Sequence, residues 1–167
     1  MTLLTRTLFA AAFVVLISAC GNVGDAPEAE TTAVPETDAT EAAAFVGDAW
    51  ALDAEATTVA WRGAKVTGSH DGGFTDVTGN LYVEDGALSG VEVNIDTRSI
   101  FSDNDNLTEH LSGEDFFAVE TYPEAIFAAT TFAALDEAPE DAPEATHSIT
   151  GTLTMRGQTN EITFPAT

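Results

Sequence analysis

Apolar and polar positions along the chain fall into two regimes. The first twenty residues hold an unbroken apolar run of ten, "LFAAAFVVLI" (residues 8–17). From Trp50 onward the pattern is short and alternating. "TTVAWRGAKV" (57–66) is rich in β-branched and aromatic residues and predicts a strand. "VTGNLYV" and "ALSGVEVNID" (77–96) flank Glu84-Asp85-Gly86, the pattern of a hairpin. Within the second run Val91, Val93 and Ile95 alternate with Glu92, Asn94 and Asp96, which makes one apolar and one wet face. "AIFAATTFAAL" (125–135), "SITGTLTM" (148–155) and "EITFPAT" (161–167) predict further strands, with a turn at "GQTN" (157–160). The acidic "DEAPEDAPE" (136–144) predicts a solvated loop. One segment looks helical. In "NLTEHL" Asn106 is placed to accept from first-turn amides while Glu109 reaches back, and Leu107 and Leu111 share a face. Several antiparallel strands with one short helix predict an all-β sandwich or barrel.

Charge narrows the partners. The chain carries 28 acids against five bases. Nucleic-acid binding needs Lys and Arg to neutralise phosphates, so that class is excluded. Docking to an anionic membrane through surface charge fails for the same reason. The early apolar run is too short to span a bilayer and suits a signal-peptide core. It ends in "ISAC", where Cys20 is the only cysteine, so no disulfide can form within the monomer. An apolar residue, two small residues and Cys resemble the lipobox of bacterial lipoproteins. The resemblance implies a signal peptide over 1–19, acylation of Cys20 and a lipid-anchored protein of the cell envelope. In such lipoproteins of Gram-negative bacteria, Gly21 rather than Asp after the Cys implies the outer membrane, with the domain facing the periplasm. Residues 20–44 hold that Cys and an acidic Ala/Pro/Thr stretch without apolar period, expected to be a disordered tether that would reach ~80 Å if extended. Residues 45–167 form the domain, with 22 acids and four bases, a net charge of −18.

Catalytic signatures are scarce. His70 sits in "TGSHDGG", expected to be a flexible polar turn. His110 falls on the short helix beside acids, and His147 opens a strand. No metal-ligand spacing, nucleophile elbow or phosphate-binding Gly loop occurs. "SDNDN" (102–106) lacks the Gly and distal Glu of a calcium loop and is explained by an Asx-rich turn before a helix. Nothing requires an enzyme, and neither a metal nor a cofactor is expected. A hydrolase or lyase using His110 with Glu114 or Asp115 is the catalytic alternative.

Four segments occur in a telling order: "VTGSHDGGF" (66–74), "SI" (99–100), "HLSGEDFFAVETYPEAIF" (110–127) and "GTLTMRGQTNEITFP" (151–165). His110, Leu111, Asp115, Phe116, Phe117, Tyr122, Pro123 and Phe127 match the first half of a family pattern. Gly151, Leu153, Thr154, Gly157, Thr159, Ile162 and Phe164 match the second. Together they resemble the YceI-like family of bacterial polyisoprenoid-binding proteins over nearly all of residues 50–167. The resemblance implies an antiparallel lipocalin-like β-barrel holding a long isoprenoid, isoprenoid quinone or fatty amide in its lumen, for binding, transport or storage. Family members continue beyond the "TFP" strand, whereas this sequence stops at Thr167. The barrel is therefore expected to be incomplete at its C-terminus, with an open sheet edge that leaves room for an interaction module or a homodimer.

A prenyl chain asks little of its host. Apolar burial is worth about 25 cal/mol per Å², so hiding ~400 Å² yields roughly 10 kcal/mol before the costs of association. The candidate lipid-lining residues are Trp61, Leu81, Val83, Val91, Val93, Ile95, Phe116, Phe117, Phe127, Leu153 and Phe164. Each would serve an ordinary core equally well. The acid excess favours an uncharged head group over a polyprenyl phosphate.

Overall fold

A computed structural model describes residues 30–33 and 44–167. The leader, Cys20 and most of the acidic stretch lie outside the described residues, and the anchor expectations lie there with them.

The strands β1 (Glu30–Ala33), β2 (Asp48–Ala51), β5 (Val77–Glu84), β6 (Ala87–Asp96), β8 (Glu124–Ala134), β9 (His147–Met155) and β10 (Gln158–Ala166) form a seven-stranded sheet. Its order is β1-β10-β9-β8-β6-β5-β2. A smaller sheet has the order β3 (Val59–Lys65), β4 (Gly68–Phe74), β7 (Ile100–Ser102). Every ladder is antiparallel. The fold is all-β, as its alternation predicts. Among the described residues no ladder joins the two sheets.

Two hairpins join through the same chemistry. Asp85 and Gly86 have φ of 52° and 81°, and Arg156 and Gly157 have 53° and 70°. Two left-handed residues in succession match the twist of the flanking strands. The second turn is therefore Arg156-Gly157, and the expected turn at 157–160 gives way to strand. Arg156 is held there because its guanidinium donates to the main-chain oxygens of Glu114 (2.6 Å) and Asp115 (3.4 Å).

Three other expectations are corrected. His70 lies in strand β4, not in a flexible turn. Glycine makes that strand packable: a Cβ on Gly72 would sit 2.2 Å from the Trp61 ring and from the Phe101 carbonyl oxygen. Helix α1 (Asp105–Ser112) begins two residues earlier than the capping pattern suggested. Asn104 is its cap, accepting from the Leu107 amide, and Asn106 lies inside the helix. Four consecutive Asx residues could each cap. The Ser102–Thr108 contacts select Asn104, since the Ser102 amide donates to the Thr108 hydroxyl at 2.9 Å and the Ser102 hydroxyl to the Asn104 carbonyl at 2.8 Å. Lastly, Glu30–Ala33 belongs to the stretch read as tether, yet it pairs with Asn160–Thr163 of β10. The strand that the sequence left as an open edge thus carries a neighbour along four residues.

The two sheets meet at Val77, Ile95 and Ala125, all buried, with Val59, Phe74 and Val93 packed against them. Thr97, Ile100, Ala118 and Val119 are buried as well, the last two in the segment after α1. There the loop after α1 folds back on itself, with Phe117, Ala118 and Val119 amides donating to Leu111, Gly113 and Ser112. Thr97 fastens that loop to the sheet through its amide to Pro123 (2.9 Å) and its hydroxyl to the Tyr122 carbonyl (2.7 Å).

Candidate functional site: an apolar groove between the sheets

Alternation along the large sheet gathers side chains of one kind on one face. Val91, Val93 and Ile95 of β6 face the same way. The ladders set Val93 opposite Phe127 and Phe127 opposite Leu153. On β9 and β10, Gly151 stands opposite Ile162 and Ile149 opposite Phe164. Space for the large side chains comes from small neighbours. Ala125 and Ala129 are 2 % and 1 % exposed, and a Cβ on Gly151 would lie 2.8 Å from the Phe127 ring.

The outcome is a groove of about 330 Å³ between this face and the small sheet. Its lining is wholly apolar: Val59, Phe74, Val93, Ile95, Ala125, Phe127, Leu153, Met155, Ile162 and Phe164. Phe127 and Phe164 meet at a ring-centroid distance of 5.4 Å and form its aromatic wall. At this size it lies at the small end of the range for ligand sites, about 300–1,000 Å³. A neighbouring hollow of about 430 Å³ near Leu135 and Pro139 has a mixed lining that includes Asp141, Ser148 and Thr163.

Of the candidate lining residues, Val93, Ile95, Phe127, Leu153 and Phe164 border the groove. Phe117 stands one layer behind, edge-on to Phe74 at 5.7 Å. Leu81 and Val91 pair with each other on the continuation of the same face, and Trp50, opposite Leu81 on β2, is 64 % exposed. Val83 follows the irregularity between Tyr82 and Val83 and lies further out. Trp61 is outside the groove, its ring over Gly72 and its indole N–H buried without a partner among the described residues. Phe116 is also outside: it is 44 % exposed and packs edge-on to His110 at 4.8 Å. The residues that sequence reasoning missed carry a simple signal. Val59, Ala125, Met155 and Ile162 each stand two positions from a residue already singled out, on the same face of the same strand. Phe74 had no such signal, because its strand is disguised by glycine.

Titratable groups gather elsewhere. His110, Asn106, Glu109 and Asp115 border a shallow polar hollow, but no carboxylate hydrogen-bonds the His110 ring among the described residues. His70 does have a carboxylate partner, Asp103, with Nδ1 and Oδ1 2.8 Å apart on the surface. That hydrogen bond holds the Asp103 carboxyl below its ordinary range. Asp96 is lowered too, by hydrogen bonds from the Arg98 guanidinium and amide. Tyr82 is raised by burial and by Glu92 beside it. No group of three or more metal-ligating side chains forms among the described residues, nor is any described helix long and apolar enough to cross a membrane.

The sequence and fold have relatives. A UPF0312 protein of Pseudomonas putida strain GB-1 is 36 % identical over 98 residues, which are 58 % of this chain and 47 % of that protein. A UPF0312 protein of Pseudomonas savastanoi pv. phaseolicola is 35 % identical over 79 residues, 47 % of this chain and 38 % of the other. The chain thus spans about half the length of the curated relatives it matches, or less. Among solved structures, Burkholderia cenocepacia BcnA superposes with a TM-score of 0.59 at 20 % identity, over 69 % of each chain, a likeness of fold. The YceI-like domain is matched by residues 50–167, well over half of the sequence, and the chain belongs to the YceI-like family.

Proposed function

We propose that the domain is a non-catalytic binder of a long apolar lipid, serving transport or storage in the cell envelope. The observation that carries this reading is the groove's lining: ten side chains from six strands, none of them polar. A catalytic pocket needs convergent polar groups, whereas a hydrocarbon chain needs only burial. The groove is too small for a whole polyprenyl chain. The remaining length would follow the same face past Val91 and Leu81 towards the exposed Trp50. An uncharged head group suits a domain of net charge −18. Acylation of Cys20 would hold the protein at the outer membrane, facing the periplasm, with the acidic stretch as spacer. This part of the reading rests on the lipobox.

The deciding experiment is native mass spectrometry of the full chain from its host membranes, with organic extraction of the same sample. The expected result is a lipid adduct at one per domain, lost on Phe127→Asp, which sets a charge in the aromatic wall. A protein that carries no lipid under mild conditions, and takes up none when offered, overturns the reading. For the anchor, Cys20→Ser should move the protein from the membrane to the soluble fraction.

A further inference from the structure

The groove does not end in apolar side chains alone. Leu153 and Met155 also border an adjoining hollow of about 470 Å³, whose other walls are Tyr122, Arg156, Gln158 and Asn160. Asn160 stands opposite Leu153 and Gln158 opposite Met155 on the β9–β10 ladder. Strand alternation therefore carries both amides on the face that bears Ile162 and Phe164. The Tyr122 ring is seated against Gly157, where a Cβ would come within 3.0 Å of it. Arg156 is fixed by its two bonds to main-chain oxygens, which leave other guanidinium N–H groups unused. Among the described residues, the amides of Gln158 and Asn160 and the hydroxyl of Tyr122 make no hydrogen bond within the chain.

We infer that Tyr122, Arg156, Gln158 and Asn160 form a head-group subsite for an uncharged lipid head bearing acceptor oxygens. This rests on the reading of the groove as a lipid site, and adds where the polar end of the ligand goes. The hollow opens where the apolar lining stops, so a tail lying in the groove delivers its head there. All four side chains can donate, which suits carbonyl, ester or amide oxygens. Charge decides against an anion. The one cation in the hollow is tied to the main chain of Glu114 and Asp115, so these three neighbours together carry −1, within a domain of −18.

Ligands with one sixteen-carbon tail test this directly: hexadecane, hexadecanamide and hexadecanoate, competed on the full chain at low salt and read by native mass spectrometry. The amide should outcompete the alkane by about tenfold or more, since only the amide brings polar atoms for these donors to meet. The double variant Gln158→Leu/Asn160→Leu, with its fold checked by circular dichroism, should lose about tenfold for the amide and nothing for the alkane. Equal binding of amide and alkane by the natural protein overturns the subsite and leaves the groove reading standing. Equal loss of both ligands in the double variant overturns it as well, because those side chains would then only shape the groove. Tighter binding of hexadecanoate than of the amide overturns the uncharged head. Failure to bind any of the three overturns the groove reading itself.

Discussion

Thr97 is 1 % exposed and uses both its amide and its hydroxyl to hold the loop that follows α1. Replacing it by valine keeps the shape and removes the hydroxyl donor, leaving the Tyr122 carbonyl without that partner. Thr97→Val should cost about 1–3 kcal/mol, measured as a lower urea midpoint. A midpoint unchanged from the natural protein would mean that water replaces the bond. A half-buried acid and an exposed one give a pH signature. Asp96 and Asp103 have carboxyls lowered by Arg98 and His70 respectively. A group lowered in the folded state stabilises the fold above its ordinary range. That contribution disappears as pH falls through the folded value. Asp96→Asn and Asp103→Asn should therefore lower stability at neutral pH and match the natural protein in strong acid. Carbon NMR titration should find both carboxyls ionising below the other surface acids. Titration among the ordinary carboxylates would refute the assignment.

At the level of elements, glycine and small residues decide which strands can approach. The Phe127 ring approaches Gly151 and the Trp61 ring approaches Gly72 so closely that a Cβ at either glycine would collide with the ring. The most consequential element is one of the shortest. Strand β1 supplies β10 with an antiparallel neighbour over Asn160–Thr163. Without it, the N–H and C=O groups of β10 on that side would be free to pair with another chain. Proline at Thr31 and Thr32 removes two amides from β1 and should release it. Sedimentation velocity should then report dimers or larger species, while the natural chain under the same conditions does not form them. A strictly monomeric double variant would show that β10 needs no cover.

For the whole molecule, 22 acids and four bases in residues 45–167 surround a thin core. Self-repulsion of like charge opposes compaction. Raising salt shortens the screening length from about 10 Å at 0.1 M to about 3 Å at 1 M. The melting temperature should therefore rise over that range, as scanning calorimetry would show. A flat or falling profile would indicate that the acids are already accommodated by local partners. The same charge is why an uncharged head group fits the ligand.

Local pattern was sufficient for much of this. Apolar and β-branched runs marked β3, β5, β8 and β10, and period-two alternation marked β6 and β9, because a strand with one buried face must alternate. It also supplied half of the groove, through Val93, Ile95, Phe127, Leu153 and Phe164. Asp85-Gly86 announced its hairpin because glycine at that place accepts a left-handed φ. The family motifs disclosed the fold class. Tertiary structure decided the rest. "GSHDGGF" has no strand propensity of its own, and becomes β4 because only glycine fits beneath Trp61. "ETTA" is a strand only because β10 offers it an edge. Phe116 and Phe117 are adjacent in sequence, yet one turns to His110 at the surface and the other to Phe74 behind the groove. Alternation tells which face a side chain takes. Whether that face meets another sheet, a ligand or water depends on strands distant in sequence, and only the assembled fold brings those together.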